Sequence, residues 1–398
     1  MPLSSDSGTR KPRDDTPAPP PGWTISEVRL TYLRIGPADT PPRSKAATLM
    51  SNARATRLSR RGILAAGGAL GLGAVLAACG DDKEKSSASD GGTAAVKSGP
   101  WSFKDDRGQT AKADKAPSSV VAFVGVAAAL HDYGIDVKGV FGPTRTKDGK
   151  ADVQAGDLDI SKVTVLGNEW GQFNIEKYAA LTPDLLVSTM FDRAGTLWYV
   201  PEESKKKILA VGVPSVGISV HDRQMTDPLQ RMLEFAKSLG ADTTSAKITQ
   251  ARKRFEDAAA RLRAATKARP DIKVLAGSAS QDVFYVSGSN LSIDLEYFKA
   301  LGVDFVEPSP SVLKASGGWY ENLSWENVDK YKADVIMMDN RTSAIQPPDI
   351  TEATWKKLPA VKAGQVIARN PEPILSYDKC APLLEDLAKA IETAKKVS

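Results

Sequence analysis

The sequence predicts an α/β protein in which two lobes of parallel sheet and crossover helices are joined by one long helix. Three observations carry this. From Val120 onward, short β-branched runs alternate with helical patterns, and strands that alternate with helices pair in parallel sheets. Between Asp227 and Ala268 the strand signal nearly vanishes. After Pro270 the alternation resumes.

In order, the first set of expected strands is Val120–Val124, Val137–Phe141, Val163–Leu166, Asp184–Ser188 and Pro214–Ile218, with a small helix running from the first strand through Tyr133. The stretch Lys247–Lys267 is dense in Ala, Arg, Lys and Glu, all strong helix formers. Ile248, Phe255, Ala259 and Leu262 recur there at helical spacing, and Arg269-Pro270 ends the run. The second set of strands is Ile272–Ala276, Val283–Val286, Asp334–Met338 and Gln365–Ala368. A last helix, from about Lys379 to Lys396, sets Leu383, Leu384, Leu387 and Ile391 on one face. Both lobes are thus Rossmann-like. The expected boundaries are 100–226 for the first lobe, 227–269 for the linking helical segment and 270–398 for the second lobe.

Upstream, Ser59-Arg60-Arg61 leads into an uncharged run from Ile63 to Ala78 that stops at Leu76-Ala77-Ala78-Cys79-Gly80. This is the positive, apolar and small-residue order of a signal peptide, expected over 50–78. The run is shorter than the roughly 20 residues that cross a bilayer. Leu-Ala-Ala-Cys resembles a lipobox, which makes Cys79 the expected lipidation site and first mature residue. Ser-Arg-Arg resembles a twin-arginine export signal; general secretion stays open. Residues 1–49, rich in Pro, Asp and Thr, sit awkwardly before a signal, and translation from Met50 is expected. Gly68, Gly71 and Gly73 do not form a dinucleotide loop, because no strand precedes them. Residues 79–99 are polar and small; they cannot bury enough surface to fold and form a tether of roughly 25 Å mean reach.

The 320 residues from Cys79 onward suffice for one large or two ordinary domains. The chain has two cysteines. With Cys79 lipidated, Cys380 is left without a partner and is expected to be a small packed residue. The net charge of +5 is mild and mixed along the chain, so no nucleic-acid footprint is read.

One element recurs. Asn174-Ile175-Glu176 runs to Pro183-Asp184-Leu185, and Ser324-Trp325-Glu326 runs to Asp334-Val335. In each, a polar cap precedes a short helix, and an Asp eight residues after the Glu opens a buried strand. Glu176 and Glu326 fall in the first turn, where the helix dipole favours a negative charge. Helix-start acids alone would account for them. Their matched placement suggests more: one exposed anion on each lobe, facing a basic partner.

These segments, with Ala116-Pro117-Ser118-Ser119-Val120-Val121-Ala122 and Trp355-Lys356-Lys357-Leu358-Pro359-Ala360-Val361-Lys362-Ala363-Gly364-Gln365-Val366, resemble the iron-siderophore and cobalamin class of ABC-transporter substrate-binding proteins from about Trp101 to the C-terminus. Within it, the chain looks most like the desferrioxamine-binding lipoproteins of actinomycetes. The resemblance implies a ligand cleft between the lobes, little lobe closure, and permease docking through Glu176 and Glu326. It also implies a monomer, lipid-anchored on the outer face of the cytoplasmic membrane.

In parallel α/β lobes, ligands meet the loops beyond the carboxyl ends of strands. Those loops carry Glu169, Trp170, Phe191, Arg193, Trp198, Tyr199, His221, Arg223, Tyr285, Trp319, Tyr320, Arg341 and Tyr377. Any single aromatic is by default a core residue; the pairs Trp198-Tyr199 and Trp319-Tyr320, lying in loops, are harder to bury whole. A bare zinc or manganese site needs several histidines, and the chain has only His131 and His221; no protein-bound metal is expected. A ferric catecholate, highly anionic, would demand an arginine cluster. A ferric trihydroxamate is close to neutral and needs aromatic walls with a few donors. The expected donors are Arg193 and Arg341, whose guanidinium forks give fixed N–H groups. Trp170, Phe191, Trp198, Tyr199, Tyr285, Trp319, Tyr320 and Tyr377 complete the expected binding set. Iron would stay inside its chelator, with no cofactor of the protein's own. Haem, cobalamin or another iron chelate remain alternatives. An exported enzyme is remote: no Gly-x-Ser-x-Gly, His-Glu-x-x-His or P-loop occurs, and Ser278 and Ser280 have no histidine placed to activate them.

Overall fold

The computed structural model describes residues 99–398, all within one compact unit. The export signal, Cys79, Met50, residues 1–49 and the tether up to residue 98 lie outside the described residues. Among the described residues no helix is long and apolar enough to cross a membrane.

An antiparallel hairpin comes first, β1 (Trp101–Lys104) with β2 (Thr110–Ala113). Its strands were not foreseen: only Trp101 and Phe103 of β1 are buried, too short an alternation to read. Asp105 and Asp106 at the turn accept from the Gly217 and Ser219 amides and fasten the hairpin to the following sheet.

That sheet contains β3 (Val120–Phe123), β4 (Gly139–Phe141), β5 (Thr164–Gly167), β6 (Leu185–Met190) and β7 (Ser215–Ser219). The order is β5-β4-β3-β6-β7 and every pairing is parallel. Helices α1 (Val124–Asp132), α2 (Ile175–Ala180) and α3 (Glu202–Leu209) lie between strands in the chain. All six residues of β6 are buried, the near-continuous burial of a strand covered on both faces. Strand order reverses beside β3, where an open α/β sheet forms its crevice.

The linking segment holds two helices, α4 (Thr226–Ser238) and α5 (Ala246–Ala268). The second sheet follows: β8 (Lys273–Ala279), β9 (Val283–Ser287), β10 (Asp304–Phe305), β11 (Tyr320–Ser324), β12 (Val335–Asp339) and β13 (Val366–Arg369). It is mixed rather than wholly parallel. β10, β12 and β13 join in parallel pairings, whereas β9 is antiparallel to β8 and to β11. Only Ser280–Asp282 separate β8 from β9, and a parallel return needs a dozen residues or more. Between and after these strands come α6 (Ile293–Ala300), α7 (Pro310–Leu313), α8 (Ala353–Lys357), α9 (Pro359–Lys362) and α10 (Tyr377–Thr393). The last begins at Tyr377, earlier than expected, because the Ser376 hydroxyl caps it by accepting from the Lys379 amide.

Side-chain alternation divides the apolar core at the second sheet. Val274, Ala276, Val335 and Met337 join the large core that includes the first sheet, α4, α5 and α10. Leu275, Ile336 and Met338 face a smaller core with Phe284, Trp325 and Trp355. Along α5 and α10, two bidentate pairs, Arg254–Glu385 and Arg261–Glu392, repeat one heptad apart on both helices. The two helices therefore run parallel and in register.

Candidate functional site

A cleft lies between the two sheets, walled by Phe191, Trp198 and Val220 from the first lobe and by Tyr285, Leu291, Trp319, Tyr320 and Arg341 from the second. Its open space is about 780 Å³, counting the part open to solvent.

The aromatic wall is a chain of ring contacts with a second pair beside it. Trp198 packs on Phe191 at 4.7 Å and on Trp170 at 5.0 Å between ring centroids. Phe191 approaches Trp319 at 6.5 Å, joining the lobes across the cleft. Tyr285 and Tyr320 meet edge to face at 5.2 Å, a preferred aromatic geometry. Local backbone fixes the loop that carries Trp198: its amide donates to the Thr189 carbonyl and its carbonyl accepts from the Ser188 hydroxyl. Tyr199 follows with φ of 60°, a conformation that is strained for a bulky residue. It is held by stacking on Phe123 at 5.4 Å and by the edge of Trp170 at 5.0 Å. At the end of β5, Gly167 leaves no room for a Cβ against the Gln172 carbonyl, which keeps the Trp170 loop folded back on the strand.

The polar floor is built from charge pairs. Arg341 donates from Nε and Nη2 to Asp339, at 3.0 and 2.7 Å, and from Nη1 to Glu372. Burial alone would lower the Arg341 pKa, but the two carboxylates outweigh it and hold it above its ordinary value. Burial would likewise raise Asp339, and Arg341 reverses this and holds it low. Glu372 also accepts from Trp198 Nε1 at 3.1 Å and from Gln154 Nε2 at 2.7 Å. Arg369 donates to Asp294 at 2.7 and 3.0 Å and to the Ser287 hydroxyl at 3.2 Å. Every guanidinium on this floor is thus met by carboxylates.

Six of the residues expected from the sequence stand on the cleft wall: Phe191, Trp198, Tyr285, Trp319, Tyr320 and Arg341. Trp170 and Tyr199 support it from one layer behind, and Tyr199 also lines a smaller cavity beside the cleft. Two are placed elsewhere. Arg193 points outward, its side chain 81% exposed, and donates to Asp222 from Nε and Nη2; Asp222 is held down to about 2 by this bond and by His221. Tyr377 is buried in the helix packing, 5.6 Å from Phe255 with Arg252 over its ring. The first turn of α10 faces α5, not the cleft.

The sequence reading missed Asp339, Glu372 and Arg369. Their only linear signal was a charged residue at or just beyond the carboxyl end of a strand. Cys380 is buried and free, with its pKa raised by burial. His131 and His221 lie outside the cleft wall.

Glu176 and Glu326 are both exposed. Glu176 stands in the first turn of α2, which Asn174 caps by accepting from the Lys177 amide at 2.7 Å. The second copy is a single 3-10 turn, Trp325–Asn327, and not a helix. Glu321 accepts from Lys330 and Tyr331 and draws the following chain back to β11. Backbone and Ser324 hydrogen bonds keep the Glu326 pKa low. The two aspartates of the repeat have equivalent roles. Asp184 accepts from the Ser118 and Ser119 amides before β3, and Asp334 from the Lys273 amide at the start of β8. Each carboxylate clamps the entry to the neighbouring parallel strand.

Comparison with known proteins agrees with this architecture. A family model described as periplasmic binding protein matches residues 125–373. A ferric-siderophore receptor protein from Streptomyces coelicolor, DesE, is 72% identical over 75% of this chain and 100% of its own, with a TM-score of 0.74. The siderophore periplasmic binding protein of the fuscachelin gene cluster of Thermobifida fusca shares the fold at 19% identity, covering 69% of this chain and 96% of its own, with a TM-score of 0.50. Staphylococcus aureus SirA, solved with staphyloferrin B, shares it at 20% identity over 74% of this chain and 98% of its own, with a TM-score of 0.52. No curated protein matches the chain.

Proposed function

This chain belongs to the periplasmic binding protein family, an extracytoplasmic binding protein and not an enzyme, and we propose that it captures a ferric hydroxamate siderophore of the desferrioxamine type for an ABC importer. The observation that carries the ligand class is the charge pairing of the cleft. Arg341 and Arg369 are both engaged by carboxylates, so the site offers no arginine cluster to a highly anionic catecholate. What it does offer is a wide aromatic wall above a fixed polar floor. A compact, nearly neutral chelate with an apolar body and outward oxygens fits that chemistry. The 72% identity to a ferric-siderophore receptor supports a ferric siderophore as the ligand. Wall contacts are assigned to Phe191, Trp198, Tyr285, Trp319 and Tyr320, with Trp170 and Tyr199 behind them and Arg341 as donor. The iron stays within its chelator. Delivery is assigned to Glu176 and Glu326 as permease contacts, the protein acting as a monomer tethered through a lipidated Cys79 on the outer face of the cytoplasmic membrane. The lipobox-like sequence supports the anchor.

Tryptophan fluorescence titration with ferrioxamine B, ferric enterobactin, haem and cobalamin tests the ligand class. Tight binding of ferrioxamine B with weak binding of the other three is expected. Tight binding of the catecholate without the hydroxamate overturns it.

A further inference from the structure

We propose that Glu372 sets a charge preference within this cleft, favouring a chelate that carries one positive charge over a neutral or anionic one of the same skeleton. The inference rests on the hydroxamate reading above and narrows it to a charge class.

The floor is not electrically even. Arg341 and Arg369 line the cleft with two carboxylates, Asp339 and Glu372, and two more carboxylates stand behind them, Asp294 bonded to Arg369 and Asp152 bonded to Thr342. All four carboxylates are buried. Asp152 is partnered by neutral groups, the Thr342 hydroxyl and the Gln154 amide. The lining is thus balanced in formal charge, and the two carboxylates behind it make the neighbourhood negative, in a setting where solvent screens weakly.

Glu372 is the member placed to act on a ligand. It lines the cleft, and it also lines the adjoining cavity beside Trp198, Arg341 and Gln154. An arm of the chelate ending in either space meets the same carboxylate. Its position is fixed from three sides, by Arg341, Trp198 and Gln154, and its own amide donates to Asn370 Oδ1. A carboxylate has about four acceptor positions, and these donors use three. An ammonium tip supplies a further donor together with the missing positive charge. A carboxylate tip would meet Glu372 as a like charge.

Three ferric chelates of one skeleton isolate the effect: ferrioxamine B with its free amine, the N-acetylated form with a neutral tip, and the N-succinylated form with an anionic tip. The wild-type protein should bind the amine-tipped form about tenfold more tightly than the acetylated form, with the succinylated form weaker still. In Glu372→Gln, which keeps the side-chain shape, the three affinities should fall within about twofold of one another. The wild-type series alone can overturn the preference even if the variant folds poorly. Equal affinity for all three in the wild-type protein, or an unchanged preference in Glu372→Gln, overturns the inference and leaves hydroxamate binding standing. If none of the three binds, the ligand reading itself fails and takes the charge preference with it.

Discussion

Trp198 shows most clearly how single side chains make this site. It closes a ring contact with Phe191, rests on Trp170 and hydrogen-bonds Glu372 from the other lobe. Trp198→Ala should weaken ferrioxamine B binding by at least about tenfold, because it removes a wall and leaves Glu372 short of a donor; titration calorimetry checks this. Asp334 carries structure instead. Burial would raise its pKa, but bonds from the Lys273, Val397 and Ser398 amides and the Lys396 ammonium hold it far below its ordinary value. A depressed carboxylate adds stability above its unfolded pKa, and that stability is lost as pH falls toward the folded pKa. Asp334→Asn should therefore cost about 1–3 kcal/mol at neutral pH and flatten the loss of stability below about pH 4. Denaturant melts of both proteins across that range check the sign. At this scale the aromatics were legible, since large apolar residues in loops stand out. The polar floor was not: Trp198 and Glu372 are 174 positions apart, and no local pattern joins them.

Among the elements, the parallel strands were legible as short β-branched runs, and the long helix by its apolar period, which puts Ile248, Phe255, Ala259 and Leu262 in the core. The hairpin β1–β2 was not, as two buried residues in β1 and one in β2 make no pattern. The expected helix at Glu326 proved a single turn, Trp325–Asn327, and the chain after it bonds back to Glu321 on β11 through Lys330 and Tyr331. The α5–α10 contact separates two kinds of stabilisation. The Arg254–Glu385 pair is bidentate but half in solvent, and exposed pairs contribute about 0.2–1 kcal/mol. Leu384 on α10 is fully buried, and Leu to Ala in a core costs roughly 2–5 kcal/mol. Thermal melts should thus rank Leu384→Ala well above Arg254→Ala in damage. Equal losses would mean that the ion pairs, not the apolar seam, hold the helices.

For the whole molecule, the two sheets and α5 give a frame on which the proposed capture in the cleft and the proposed docking through Glu176 and Glu326 can be separated. The double change Glu176→Arg with Glu326→Arg should abolish iron uptake from ferrioxamine while leaving ligand affinity intact; uptake that survives it would end the docking assignment. The two-lobe plan was legible from the interrupted alternation alone. The mixed second sheet was not, because the direction of β9 depends on a three-residue connection rather than on strand composition. The capture role depends on one placement above all, the chelate between Trp198 and Trp319 and over Arg341. A crystal structure grown with ferrioxamine B tests it, with the iron located by its anomalous scattering. The iron should lie within the cleft, with an Arg341 N–H on a hydroxamate oxygen; an iron peak outside the cleft, or a bound chelate that leaves Trp198, Trp319 and Arg341 untouched, would contradict the account.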